Sequence, residues 1–258
     1  MLTVNLGNQT FAVPTSWNEV IRSGRYLEVI QILAFSPAGD TEGNRADILE
    51  RIMRLYADGA LEATDVAPGH VPSAAMMLID ECYPALAFIF DDYCIDPPMA
   101  KIRHKGITYT SKGPRMLPMT GREMEDCAWA YAEWIKTGDI VMLDNIIAHL
   151  YRPKWIWMRH WPFRTMAKKN LAELPSMTKL GIKFWYESTE AWWKFMYRSL
   201  YEGDSASQRA PDSLAVSRII RAIAGPKRGD VDKVRTLDRD EIMFELAELE
   251  REREEAEK

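Results

Sequence analysis

Aromatic and basic side chains alternate between Arg152 and Lys169, where they could form a surface for single-stranded nucleic acid. These eighteen residues hold four Trp or Phe, six Lys or Arg and no acid, although the chain carries a net charge of −5. Bases stack on aromatic rings while cations follow the phosphates, so the composition suits such a surface. The same composition arises when the aromatic side chains pack inward, and the alternation in "WIWMRHW" favours this inward-packed interpretation. Pro153 and Pro162 leave no room for a long amphipathic helix, which disfavours membrane binding.

Two histidines, His149 and His160, could contribute to a metal site, because imidazole is a common zinc ligand. They are eleven residues apart with prolines around them, so we prefer exposed or hydrogen-bonded histidines. No Cys/His zinc spacing occurs in the sequence. The acidic run at 90–96 resembles half of a calcium loop, but Asp96 stands where the loop requires glycine and Ile102 where it requires glutamate. We therefore predict no metal and no cofactor.

The acids Asp91 and Asp92 could do acid–base chemistry, but adjacent acids at a helix end are usually solvated. No nucleophile elbow, P-loop or G-x-G-x-x-G motif occurs in the sequence. Cys127 lies on an apolar helix stripe and is best interpreted as a small core residue. We therefore predict a protein that is not an enzyme. An enzyme with a dispersed, unrecognised site near Asp91, Asp92 and His104 stays open as an alternative.

The composition indicates a globular protein of a reducing compartment. Of the 258 residues, 47% are hydrophobic, which is ordinary for a folded domain. Cys82, Cys94 and Cys127 form no CxxC pair and leave an odd thiol, which favours reduced cysteines. The longest apolar run, at 83–90, has eight residues, whereas a membrane-spanning helix needs about 20. The first residues lack the features of a secretion signal, so we expect a cytosolic protein.

Most of the elements that would position these residues are helices. Two hairpins are indicated, one at residues 2–14 with a Gly7–Asn8 turn and one at 100–114 with a Lys105–Gly106 turn. The pattern Ser16–Glu19 is a capping box that begins one helix, whose apolar stripe reaches Ala34. The sequence predicts a mainly α fold of about eight helices, with two short β-hairpins forming a small β element. Further helices are expected at 45–57, at 73–91 with a kink or end at Pro84, at 164–174, 176–201 and 213–224, and from about 238.

A second capping box, Thr120–Glu123, begins the helix with the clearest amphipathic pattern. Gly138 ends this helix, Asp139 caps the next one, and Pro153 ends that one. We expect the apolar stripes of both helices to face the core. They consist of Met124, Cys127, Ala128, Tyr131, Trp134 and Ile135 in the first helix, and of Ile140, Leu143, Ile147 and Leu150 in the second.

The C-terminal residues differ from the rest in charge. We predict a mainly helical core with two β-hairpins at residues 1–224, followed by a linker and an acidic, charged helix at 225–258. Three apolar side chains of that helix, Ile242, Leu246 and Leu249, form a narrow stripe that could dock on a partner. A solvated helix without a role is the alternative.

Five stretches stand out when the chain is read in order. They are "VPTSWNEV", "LPMTGREMEDCAWAYAEWIKTGD", "LDNIIAHLYRPK" leading to "RHWPFR", "LAELP" and "GIKFWYESTEAWWKFM". In this order they resemble a family of tail assembly chaperone-like proteins from phages and prophages of Bacteroidetes-type bacteria. The resemblance extends over roughly residues 10–200 and depends on the order of the elements and on the "LYRP" ending of one helix.

The resemblance implies a phage tail morphogenesis factor that acts without chemistry in the bacterial host cytoplasm. Its implied partners are phage structural proteins, since the family is expected to keep a tape-measure protein soluble until tail-tube subunits polymerise around it. Residues 152–169 would then form a crossover segment between two helical halves, with no role in a membrane. A nucleic-acid-binding accessory protein that uses this segment is the alternative. The candidate partner-binding residues are Trp155, Trp157, Arg159, Trp161, Arg164, Ile242, Leu246 and Leu249.

Overall fold

The structure of the chain is a computed structural model. It describes residues 1–6, 9–36, 42–58, 81–153, 168–197, 214–225 and 229–256. The described residues contain eleven helices and two small antiparallel sheets, one of two strands and one of three. This confirms the predicted mainly α fold with a small β element.

The chain divides into two compact units, Met1–Cys94 and Ile95–Lys258. The described elements of the first unit, in chain order, are β1 (Leu2–Leu6), β2 (Gln9–Val13), α1 (Trp17–Arg22), α2 (Tyr26–Ala34), α3 (Glu42–Ala57) and α4 (Phe88–Asp91). Those of the second unit are β3 (Lys101–His104), β4 (Ile107–Ser111), a 3-10 helix (Pro114–Met116), α5 (Gly121–Thr137), α6 (Ile140–Leu150), β5 (Tyr151–Pro153), α7 (Ser176–Met196), α8 (Ala215–Ile223), α9 (Val231–Val234) and α10 (Arg239–Ala256).

The first unit packs its hairpin and helices around an apolar core of aliphatic and aromatic side chains. Strands β1 and β2 pair antiparallel, which confirms the strands of the first hairpin, whereas the predicted turn at Gly7–Asn8 lies outside the described residues. Ser16 caps α1 by accepting a hydrogen bond from the backbone N–H of Glu19. The prediction of one helix as far as Ala34 is wrong, because Gly24 adopts a φ of 77° and separates α1 from α2. The core contains Val13, Val20, Val29, Leu49, Ile52 and Met53.

The helix around Pro84 does not break where we expected. Residues 81–86 are helical on both sides of the proline, and a turn at Ala87 separates them from α4. The backbone N–H of Ala87 still donates to the carbonyl of Tyr83, at 2.9 Å. The interruption therefore lies three residues after Pro84, and residues 73–80 of the predicted helix lie outside the described residues.

The sheet of the second unit has the order β3-β4-β5. The predicted turn between β3 and β4 is confirmed: Lys105 and Gly106 both have a positive φ, of 48° and 76°, as a two-residue hairpin turn requires. Strand β5 was not predicted. It follows α6 directly and pairs with β4, with Pro153 opposite Tyr109. A proline is tolerated there because β5 is an edge strand.

Helices α5 and α6 form an antiparallel pair whose ends follow the predicted signals. Thr120 and Glu123 form the complete capping box, Gly138 ends α5 with a φ of 68°, and Asp139 caps α6. The predicted stripes are buried in the parts of the two helices that lie away from the turn between them, at Met124 and Cys127 in α5 and at Leu143, Ile147 and Leu150 in α6. Ile135 and Ile140 are instead 45% and 42% exposed, because they flank a turn in which residues 135–141 are all exposed.

Two buried tryptophans of the aromatic helix α7 donate hydrogen bonds to backbone carbonyls elsewhere in the second unit. The indole N–H of Trp185 donates to the carbonyl of Ile95 at 3.1 Å, and that of Trp193 donates to the carbonyl of Arg115 at 3.0 Å. Buried indole groups need such partners. The rings of α7 therefore serve both as core and as backbone anchors.

The first turns of α10 belong to the packed core of the second unit. Ile242 and Met243 are at most 1% exposed. A Cβ on Gly121 would lie only 2.7 Å from Cδ1 of Ile242, so glycine at the start of α5 permits the close approach of α10. Between α8 and α9, Gly225 and Gly229 form an isolated antiparallel bridge. Among the described residues, no helix is long and apolar enough to cross a membrane.

Candidate functional site

A buried cluster of charges centres on Glu123, at the third position of α5. One carboxylate oxygen of Glu123 accepts from Nζ of Lys112 at 2.8 Å and from the backbone N–H of Thr120 at 2.9 Å. The other accepts from the guanidinium of Arg152. Nζ of Lys112 also donates to the carbonyl of Pro118 at 2.8 Å. One carboxylate thus joins the start of α5, the loop before it and strand β5.

Two cations, Lys112 and Arg152, compensate the single carboxylate of this cluster. Burial alone would raise the pKa of Glu123, but Lys112 and Arg152, together with the hydrogen bonds, lower it to about 2. The carboxylate is therefore ionised at neutral pH and its oxygens are occupied. A group in this state does not exchange a proton near neutral pH. It suits a structural anchor rather than acid–base catalysis.

Arg152 of this cluster is also the first residue of the basic and aromatic segment. Five of our candidate residues, Trp155, Trp157, Arg159, Trp161 and Arg164, lie outside the described residues. The described flanks of that gap both reach Tyr109 of β4. Pro153 pairs with Tyr109 in the sheet, and the side-chain amide of Asn170 lies 3.3 Å from its hydroxyl oxygen. Pro153 and Asn170, which lie on either side of residues 154–167, therefore contact the same tyrosine.

The other residues considered for chemistry are dispersed. Nε2 of His149 lies 3.5 Å from a carboxylate oxygen of Asp126, whereas His160 lies outside the described residues. Nε2 of His104 is buried without a hydrogen-bond partner. Cys127 is fully buried, and burial raises the pKa of its thiol well above the usual value.

Asp91 and Asp92 are exposed at the end of α4, in the first unit, whereas His104 belongs to the second. Within the described part of the chain, no three His, Cys, Asp or Glu side chains are grouped so as to hold a metal ion.

The acidic helix α10 presents its predicted stripe unevenly. Ile242 is fully buried against the start of α5, so it contributes to the core and corrects our expectation of an accessible residue. Leu246 and Leu249 are half-buried. Phe244, which we did not single out, is 61% exposed.

An exposed apolar surface, which sequence reasoning missed, lies at the end of α7. We call it the Arg115–Trp192 surface and define it by Arg115, Trp192, Phe195 and Met196. Phe195 and Met196 are 59% and 54% exposed, and they follow Trp192 by three and four residues, which places all three on one helix face. The guanidinium carbon of Arg115 lies 4.8 Å from the centre of the Trp192 ring.

The backbone of Arg115 is fixed in an unusual conformation. Arg115 and Met116 have φ values of 57° and 53°, a region that side chains other than glycine seldom occupy. The N–H of Arg115 donates to the carbonyl of Ile95 at 2.8 Å, and its carbonyl accepts from Trp193. The sequence does contain one indication of this exposed surface. The run "WWKFM" has more apolar residues than one buried face of a helix can accommodate, so some of them must be exposed.

Comparisons of the chain with protein-family models, with curated proteins and with solved structures found no match.

Proposed function

We propose that the protein is a non-enzymatic assembly factor that binds another protein. The observation that carries this proposal is the Arg115–Trp192 surface, where exposed apolar side chains adjoin an exposed guanidinium. Apolar groups gathered on one face of a rigid helix are typical of protein-binding sites. Trp, Met and Arg are also enriched in the centres of such interfaces.

The charges of the described residues favour this role over the nucleic-acid alternative. Arg152 contacts the buried carboxylate of Glu123. Arg235 contacts Glu125, with Nε 2.7 Å from a carboxylate oxygen. A cation that already forms an ion pair with a carboxylate binds a phosphate group less strongly. Arg152 and Arg235 therefore serve the fold more than they would serve a polyanion.

The specific role that we propose is phage tail morphogenesis in the cytoplasm of a bacterial host, with a tape-measure or tail-tube protein as partner. The order of elements that resembles tail assembly chaperone-like proteins supports it, together with the binding surface. No chemical step is required, because the partner would be held and released unchanged.

Co-expression tests this proposal. The tagged chain would be produced with the tail-tube and tape-measure proteins encoded near it, then purified and analysed by size-exclusion chromatography. We expect one of them to co-purify in a stoichiometric complex. If neither partner is retained, the proposed role in tail assembly fails.

Matched variants locate the binding surface in the same experiment. Phe195→Ser with Met196→Ser should abolish retention of the partner, because their exposed apolar area is lost. Ile135→Ser is the control, since Ile135 is also exposed, at 45%, but lies at the α5–α6 turn. Loss of the partner in the control alone would place the interface at that turn instead.

A further inference from the structure

We propose that the Arg115–Trp192 surface binds an acidic amphipathic helix of a partner protein. In this arrangement the guanidinium of Arg115 receives a carboxylate, and Phe195 and Met196 receive apolar side chains from the same helix. This inference deepens the proposed function, on which it rests, by naming the chemistry of the partner.

The guanidinium of Arg115 is available to an incoming carboxylate. No acid of the described residues lies within ion-pair distance of it, whereas Arg152, Arg235 and Arg239 each contact a glutamate. A guanidinium binds a carboxylate through two parallel hydrogen bonds from one edge. The guanidinium carbon lies 4.8 Å from the centre of the Trp192 ring, a cation–π contact in which no carboxylate of the described residues takes part. Arg115 and Trp192 together therefore offer an incoming carboxylate a cation held beside an aromatic ring.

The backbone conformation places this receptor before a partner arrives. A positive φ at a non-glycine residue costs free energy, which the surrounding contacts must offset. At Arg115 the contacts are hydrogen bonds to both backbone polar groups, from Trp193 and to Ile95. These bonds hold the backbone, and the contact with Trp192 restrains the side chain, which therefore loses less entropy on binding than a mobile side chain. The backbone strain thus lies at Arg115, the residue whose restrained side chain would bind the carboxylate.

The apolar part of the surface fits a helix better than a flat partner. Trp192, Phe195 and Met196 form a stripe of little more than one helical turn, and a partner helix lying across it would contribute residues spaced three or four apart. Charge also selects the partner. Residues 191–197 contain Lys194 and no acid, while Asp240 of α10 acts on Tyr197 at the same end of α7. The two cations, Lys194 and Arg115, outnumber this acid, so the surface attracts a negatively charged helix.

Nuclear magnetic resonance of the full chain tests the proposal directly. The probes are two synthetic, end-capped helical peptides with leucine at spacings of three and four. One carries glutamate beside the leucines, and the other carries glutamine at the same positions. We expect the glutamate peptide to shift the Arg115 Nε–H and Trp192 indole signals, and the glutamine peptide to bind about tenfold more weakly, as for the loss of a charged hydrogen bond.

Two variants keep this experiment decisive. Arg115→Asn removes the guanidinium while tolerating a positive φ, so it should fold and bind the glutamate peptide about tenfold more weakly. Arg115→Lys keeps the charge without the paired donors and should fall between the two. Equal binding by wild type and Arg115→Asn would overturn the proposal, as would an absence of shifts with both peptides. Because the probes are synthetic, this result is independent of whether a tail protein is captured.

Self-association is a distinct outcome of the same measurement. If the Arg115 and Trp192 signals shift with protein concentration when no peptide is present, the surface binds a second copy of this chain. That result would overturn the assignment to an acidic helix of another protein.

Discussion

Arg152 and Arg115 belong to the same unit of the molecule and show two opposite uses of a guanidinium. Arg152 is 50% exposed, yet it directs its charge to Glu123, which is 1% exposed. Arg115 is also exposed, but it lies on the Trp192 ring with no described acid beside it. One cation completes a buried cluster, and the other adjoins exposed apolar side chains.

The difference separates residues that hold the fold from residues that are available for binding. Around Glu123, one carboxylate compensates two cations, so removing it leaves the buried Lys112 without its partner. Around Arg115, hydrogen bonds offset the cost of the strained backbone, and the guanidinium forms no ion pair with any acid among the described residues. Substitutions should therefore affect stability at the first region and binding at the second.

Removing the carboxylate of Glu123 should have the largest effect. Glu123→Ala leaves Lys112 buried without its counter-ion, so we expect the free energy of unfolding to fall by about 3–5 kcal/mol. Urea unfolding followed by tryptophan fluorescence measures this loss. As a control, the double variant Lys112→Met with Glu123→Leu should recover much of it, because an apolar pair needs no charge compensation. A loss below about 1 kcal/mol, the value of an exposed ion pair, would remove the contrast between the two regions.

Acid should weaken the same cluster. The pKa of Glu123 is lowered from its usual 4.5 to about 2 in the folded chain, so its contribution is complete above about pH 4.5 and is lost as the pH falls towards 2. The contribution amounts to about 3 kcal/mol. Unfolding experiments between pH 5 and pH 2.5 should show it. In Glu123→Gln the pH dependence should be smaller, while other acids such as Glu19, whose pKa also falls to about 2, titrate in both proteins.

Arg152→Asn should have an intermediate effect. The substitution removes a charged hydrogen bond to Glu123, but Lys112 stays in place and water can reach this half-exposed position. We expect a loss of about 1 kcal/mol in the free energy of unfolding. Chemical denaturation against wild type measures it, and Arg152→Lys should restore part of the loss. A cost as large as that of Glu123→Ala would show that Arg152 is the main partner of the carboxylate.

Local signals in the sequence predicted the frame of both regions. The Thr120–Glu123 capping box, the Lys105–Gly106 turn and the Gly138 helix end depend on neighbouring residues alone, and all three are present. The short strand β5 was missed, because three residues become a strand only by pairing with β4. The stripe that contains Ile242 resembles a docking surface, so the sequence predicts an accessible residue where the structure has a buried one. Its burial depends on a distant glycine, Gly121.

The candidate site was harder to predict than the fold. The stacking of Arg115 on Trp192 joins residues 77 positions apart, and the positive φ of Arg115 has no signature in the sequence. The buried charges around Glu123 were equally hidden, although the capping box itself was recognised. Tertiary contacts decide which cation is neutralised and which is exposed, and the sequence alone does not reveal them.

Arg115→Asn should have the smallest effect on stability, although it is the same kind of substitution as Arg152→Asn. The variant loses a cation–π contact worth about 0.5–1 kcal/mol at an exposed site. It gains stability because asparagine adopts a positive φ at a lower cost in free energy than arginine does. These terms nearly cancel, so we expect the free energy of unfolding to change by less than about 0.5 kcal/mol. Parallel urea titrations of the two variants measure the contrast, and Arg115→Ala is the control, since alanine loses the contact without easing the backbone. Equal losses in Arg115→Asn and Arg152→Asn would show that Arg115 also holds the fold, which would end the distinction between the two regions.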